Sequence, residues 1–111
     1  MHNRFTSKAT KGVSHITGGG FYENIPRSIP QGLGARIEKR AVRVLPIFDL
    51  IAKKGNIPER DMFNTFNMGV GMSVVVPAEQ VDTALEILAA HGETAYVIGR
   101  IVENEEKVIL E

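Results

Sequence analysis

Cysteine is absent from the 111 residues, and with it go disulfide scaffolds, thiolate nucleophiles and thiolate metal centres. That absence fits a reducing compartment, so a cytoplasmic location is expected. Net charge is absent too: 13 Lys plus Arg balance 13 Asp plus Glu, which leaves no global field to draw in duplex nucleic acid or an acidic membrane. No apolar run approaches the roughly 18 to 20 residues that cross a bilayer, and the opening residues lack the apolar core of a secretory signal. A soluble chain is expected, with partners that are neither nucleic acid nor membrane. The three histidines are scattered and no carboxylates recur at ligand spacing, so no metal site is expected on these residues.

What is present fits a single domain, because 111 residues leave no room for a second core. Residues 1–12 (MHNRFTSKATKG) are polar apart from Phe5 and read as a leader, which puts the domain at 13–111. Residues 13–34, rich in glycine and proline, read as a structured loop region with one short helix after Gly20. Residues 35–40 alternate, with Ala35 and Ile37 on one side and Arg36 and Glu38 on the other, as in a short strand near a sheet edge.

Pro46 suits a helix start, Ile47, Leu50 and Ile51 share a face, and Lys53, Lys54 and Gly55 form a cationic end with a terminating glycine. A second helix is expected from Pro58, with Met62, Phe63 and Phe66 inward, ending before Asn67. Residues 70–76 are β-branched and apolar and read as a strand, with Val70, Met72, Val74 and Val76 on one face. Met68 and Met72 join Met62, Phe63 and Phe66 as core candidates. Val81, Ala84, Leu85, Leu88 and Ala89 repeat at helical spacing and predict a helix over 78–91. Segments 95–102 and 107–110 read as strands, and the polar link Glu103 to Glu106 predicts an antiparallel hairpin between them. The expected class is α+β, a mostly antiparallel or mixed sheet of about four strands with helices packed on it, partly ferredoxin-like.

The stretch His15-Ile16-Thr17-Gly18-Gly19-Gly20 carries the most chemistry. Three successive glycines are costly to order, so something must require φ > 0 or a close backbone approach. One candidate is an anion, because successive amides in a glycine turn form a concave nest. Thr17 can donate a hydroxyl and Arg27 can clamp a phosphate oxygen, with Asn24 nearby. The plain alternative is a tight turn between packed elements with no ligand. His15 can serve as a general acid or base, or as a satisfied structural residue. His91 has a structural account at a helix end, where the dipole favours a cation. Asn67-Met68-Gly69-Val70-Gly71 is a second glycine corner, read as a turn with close packing at Gly71.

His15 to Arg27 (HITGGGFYENIPR), together with Phe66 to Met72 (FNMGVGM), resembles the carboxy-terminal half of the phosphoribosylformylglycinamidine cyclo-ligases, also called aminoimidazole ribonucleotide synthetases. The resemblance runs from about Gly12 to Glu111. It implies a two-domain, homodimeric enzyme that uses ATP and magnesium to activate the formyl amide oxygen of formylglycinamidine ribonucleotide, so that an internal nitrogen closes the imidazole ring. It further implies that the amino-terminal domain brings most nucleotide and magnesium contacts. By the same resemblance His15 is the catalytic or phosphate-contacting residue. Thr17, Gly18, Gly19 and Gly20 form the substrate or phosphate loop, with Asn24 and Arg27 beside it. The acidic metal-binding segments of the family's amino-terminal half are absent here, so the chain is expected to fold without cyclising substrate alone.

Three other readings stay open. One is another ATP-using member of the same superfamily, such as the formylglycinamide ribonucleotide amidotransferase, thiamine monophosphate kinase or selenophosphate synthetase. A second is a non-catalytic anion-binding module. The third is a structural fragment whose exposed faces contact a missing domain.

Overall fold

Small residues at one point of the sequence decide how the main sheet is wound. In the computed structural model, which describes residues 11–111, strand β2 (Leu33–Ile37) lies between β4 (Gly99–Glu103) and β5 (Val108–Leu110). It runs antiparallel to β4, with Ala35 opposite Ile101, and parallel to β5, with Ala35 opposite Val108. The antiparallel hairpin expected between the last two strands is therefore not formed. The link between them passes over β2 instead, and a side chain at Gly34 would collide with the Glu106 carbonyl. The Ala35 amide donates to Lys107 O at 2.8 Å and the Asn104 amide to Gly32 O at 3.1 Å, which holds the link in place.

The centre of the sheet falls to β2 because it is buried on both faces: Gly34, Ala35 and Ile37 are all buried. The edge position expected for this strand is thus corrected, and so is its length. After Ile37 the chain leaves the ladder and turns through a short 3₁₀ stretch at Lys39–Ala41. Segment 95–98 likewise stays outside the ladder. The hydroxyl of Tyr96 accepts the Arg43 amide at 3.0 Å, and the Arg43 guanidinium sits 4.4 Å from the ring centroid.

A second, two-stranded antiparallel sheet pairs β1 (Gly12–His15) with β3 (Met72–Val75). Strand β1 falls where a loop is expected, since four residues are too few to show alternation. The Lys11 amide extends the ladder by donating to Val75 O at 2.7 Å. The rest of the segment read as a leader, residues 1–10, lies outside the described residues.

Among the described residues four helices accompany the sheets: α1 (Gly20–Asn24), α2 (Pro46–Gly55), α3 (Glu59–Thr65) and α4 (Val81–Ala90). The class is α+β. Helix α2 begins with Pro46 in the first turn and ends on Asn56, whose φ of 53° makes it the left-handed cap in place of the glycine expected there. Helix α3 carries Glu59 and Asp61 in its first turn, where the dipole favours anions, and buries Met62 and Phe63.

The main core gathers Ile16, Phe21, Ile25, Ile37, Met62, Phe63 and Met68 between α1, α3 and the three-stranded sheet. Phe21 is fully buried, and its ring meets Phe63 edge to face at a centroid distance of 5.1 Å. Phe66 is half-buried and tilts against Phe48. Met72 departs from its expected core role: it is 57% exposed. Helix α4 forms a small separate cluster, Ala84 and Ile87 against Val76.

Candidate functional site

The glycine loop connects the end of β1 to the start of α1. His15 is the last residue of β1, exposed and opposite Met72. Ile16 follows with the reverse orientation, 1% exposed, and its amide donates to Gly71 O at 2.9 Å. The close packing expected at Gly71 is not found: Gly71 is exposed, a Cβ there would meet nothing within 4 Å, and its part is to accept the Ile16 amide through its carbonyl. The alternation turns His15 outward while Ile16 anchors the backbone in the core.

From Thr17 to Gly20 the chain makes a turn closed from both sides. The Thr17 amide donates to Asn24 Oδ1 at 2.8 Å, and the Thr17 carbonyl accepts the Gly20 amide at 3.0 Å. Gly20 takes φ of +62°, and a side chain there would collide with the Phe63 carbonyl of α3. Its glycine is thus required by packing. The Gly18 and Gly19 amides, in contrast, donate to no acceptor among the described residues. Gly18 is exposed with open space around its Cα, and Thr17 is exposed beside it. The loop offers two free amides, the Thr17 hydroxyl and the His15 imidazole.

Asn24 is buried, 3% exposed, and its carboxamide oxygen is committed to Thr17, so it shapes the loop from within. Arg27 lies in the 3₁₀ turn that follows α1, Ile25–Ser28, and is exposed, with no ion pair among the described residues. His91 caps α4 through Nδ1, 2.8 Å from Ile87 O, a structural role away from the glycine loop.

One residue near the loop escapes a sequence reading. Glu23 Oε2 accepts the Asn64 amide group at 3.1 Å, while its Oε1 lies 3.3 Å from where a Gly19 Cβ would stand. A carboxylate there repels an anion, so the Gly19 side of the loop is the less favourable one for negative charge. The only local signal is the Tyr22-Glu23-Asn24 run. Asn64, its partner, is 41 positions away.

Among the described residues no group of three or more His, Cys, Asp or Glu comes together to hold a metal ion. A cavity of about 460 Å³ opens between α2 and α3, lined by Lys39, Phe48, Asp49, Glu59 and Met62 among others, and none of the loop residues borders it. The loop is an open wall, and a ligand held there needs a second surface to enclose it.

The family model for the "AIR synthase related protein, C-terminal domain" matches residues 3–111. Curated relatives named phosphoribosylformylglycinamidine cyclo-ligase include one from Acetivibrio thermocellus, 52% identical over 96 residues, which cover 86% of this chain and 28% of the relative. Another, from Lachnospira eligens, is 54% identical over 100 residues, 90% of this chain and 29% of the relative. A third, from Caldanaerobacter subterraneus, is 55% identical over 100 residues, 90% and 30% respectively. The chain therefore spans 28% to 30% of the length of these relatives. No helix among the described residues is long and apolar enough to cross a membrane.

Proposed function

Since the chain belongs to the AIR synthase related proteins, as their carboxy-terminal domain, we propose that it serves a ligase that converts formylglycinamidine ribonucleotide and ATP to aminoimidazole ribonucleotide, ADP and phosphate. The observation that carries this reading is the 52% to 55% identity to cyclo-ligases across nearly the whole chain, joined to a loop with free amides and an outward histidine. The assembled enzyme is read as a cytoplasmic homodimer, with this chain completed by the amino-terminal domain.

ATP and magnesium supply activation of the formyl amide oxygen by phosphoryl transfer, and in this reading the amino-terminal domain binds them. This chain's part is to hold and orient. The Gly18 and Gly19 amides and the Thr17 hydroxyl hold an anionic phosphoryl or substrate phosphate group, and fixed backbone donors do so without the entropy cost of ordering long side chains. In this reading Arg27, exposed in the turn after α1, adds positive charge toward the same anion. His15 faces the reacting group as acid, base or electrostatic partner.

The test is complementation in trans. The chain alone should give no ATP-dependent aminoimidazole ribonucleotide. The chain mixed with the amino-terminal portion of the Lachnospira relative should restore it, and His15→Ala should abolish that recovery. A folded but inert mixture would sink the ligase reading, and turnover by the chain alone would overturn the claim that it needs a partner.

A further inference from the structure

The face of the central strand turned away from the core carries an arrangement that sheets ordinarily avoid. Ala35 and Ile37 are buried in the core, so Arg36 between them points to the opposite side of β2. Its partner in the antiparallel register is Arg100 of β4. Directly opposed residues share a face, with Cα atoms about 4.5 to 5.5 Å apart, and like charges placed so repel. Gly99, beside Arg100, permits the close approach of the two strands, since a side chain there would collide with the Arg36 carbonyl.

The chain relieves this repulsion only in part. Arg36 Nε is shielded from solvent and makes no hydrogen bond. The carboxylate beside it, Glu111, stands 3.4 Å away through Oε1, longer than a charge-assisted hydrogen bond. Arg100 is exposed and takes part in no ion pair among the described residues. Glu38, two residues beyond Arg36, is exposed and pairs with neither arginine.

A cavity of about 320 Å³ opens over the pair, lined by Arg36, Arg100, Glu38 and Glu111 and walled by Val97 and Ile98. Its occupant follows from the geometry of the donors. Two guanidinium forks on one face present more N–H groups than the two oxygens of a carboxylate can use, and Glu111 meets one arginine while leaving the other. The three oxygens of a phosphomonoester can accept from both forks. Val97, 53% exposed, gives an organic group an apolar surface next to the charge. Glu111 is then a competitor that the ligand must displace from Arg36.

We propose that Arg36 and Arg100, on the open face of the three-stranded sheet, form a further anion site that takes the phosphate of a small organic phosphomonoester. No residue of the glycine loop lines this cavity, so the inference stands apart from the ligase reading.

The experiment titrates the full 111-residue chain with phenyl phosphate, inorganic phosphate and benzoate, following thermal unfolding and the amide and guanidinium resonances. Phenyl phosphate should raise the unfolding temperature saturably, as a ligand of the folded state does, and should bind more tightly than the other two. The resonances that move should be those of Arg36, Gly99 and Arg100. Arg36→Gln and Arg100→Gln should each weaken binding about tenfold or more, the loss expected for a charge-assisted hydrogen bond. Glu111→Gln removes the competitor and should tighten it, an effect that two arginines merely solvated on a sheet face would not give. Circular dichroism should show all variants folded, and Arg100→Gln alters only an exposed side chain. The proposal is overturned by the absence of saturable binding, by shifts confined to 17–19, or by arginine variants that bind as wild type does. Benzoate binding as tightly as phenyl phosphate overturns it too, since the site would then select carboxylates.

Discussion

The side-chain oxygen of Asn24 accepts the backbone amide of Thr17 at 2.8 Å, from a side chain only 3% exposed. A buried residue of α1 thereby fixes the start of the loop that presents Gly18 and Gly19. Asn24→Ala removes the acceptor of a part-buried hydrogen bond, at a cost of about 0.5 to 1.5 kcal/mol. Urea unfolding should show that loss, with faster amide exchange at Thr17 and Gly20. Stability within 0.5 kcal/mol of wild type, a margin on the order of a surface substitution, would mean that the contact does not order the loop.

The three glycines are predicted to respond differently. Gly20→Ala must hold a left-handed conformation that costs about 1 to 2 kcal/mol, and must also move the Phe63 carbonyl away. It should destabilise the fold strongly. Gly18→Ala meets nothing within 4 Å and should leave thermal stability unchanged. Gly19 is intermediate, because its Cβ would stand 2.6 Å from the Glu23 Cβ, so a bulky residue there tests packing and ligand binding together. Binding of a phosphorylated ligand by the complemented protein should therefore be probed with Gly18→Val and Arg27→Ala. If those variants bind as well as wild type, the loop does not hold the phosphate.

The contrast among these glycines shows what the sequence could disclose. A run of three glycines announced a special backbone, yet only Gly20 takes positive φ, and the reason is a carbonyl on α3 more than forty residues away. The helices were legible because their apolar periodicity and terminal signals are local, although Asn56 rather than Gly55 carries the left-handed cap. Strand partners were not, because pairing is decided by distant residues. Nothing within 103–106 reveals that β2 takes the place between the two strands. The outward turn of Met72 and Val74 was hidden for a further reason: an apolar face signals burial without saying whether the covering surface belongs to the same chain.

Phe21 and Phe63 join α1 to α3 directly beneath the loop, edge to face at 5.1 Å. Phe21 is fully buried, so Phe21→Ala should cost about 3 to 5 kcal/mol, the usual range for emptying an aromatic site. Phe21→Leu should lose less. Calorimetric unfolding of both variants checks the order. If Phe21→Leu falls as far as alanine, the ring-on-ring geometry matters more than filled volume.

Lys107 secures the crossing that takes the chain from β4 to β5. Its Nζ donates to Pro30 O at 2.6 Å and to Leu33 O at 3.2 Å, so one ammonium bridges the entry of β2 to the start of β5. Hydrogen bonds to a charged group contribute about 1.5 to 3 kcal/mol, and this side chain is partly shielded. Lys107→Met keeps the aliphatic stem and removes the donors, so it should destabilise by about 1 to 2 kcal/mol and speed exchange at Ala35, whose amide bonds Lys107 O. Glu106→Gln changes an exposed neighbour and serves as the control. Equal stability of the two variants would show that the parallel pairing of β2 and β5 holds through the backbone and the buried Val108 alone.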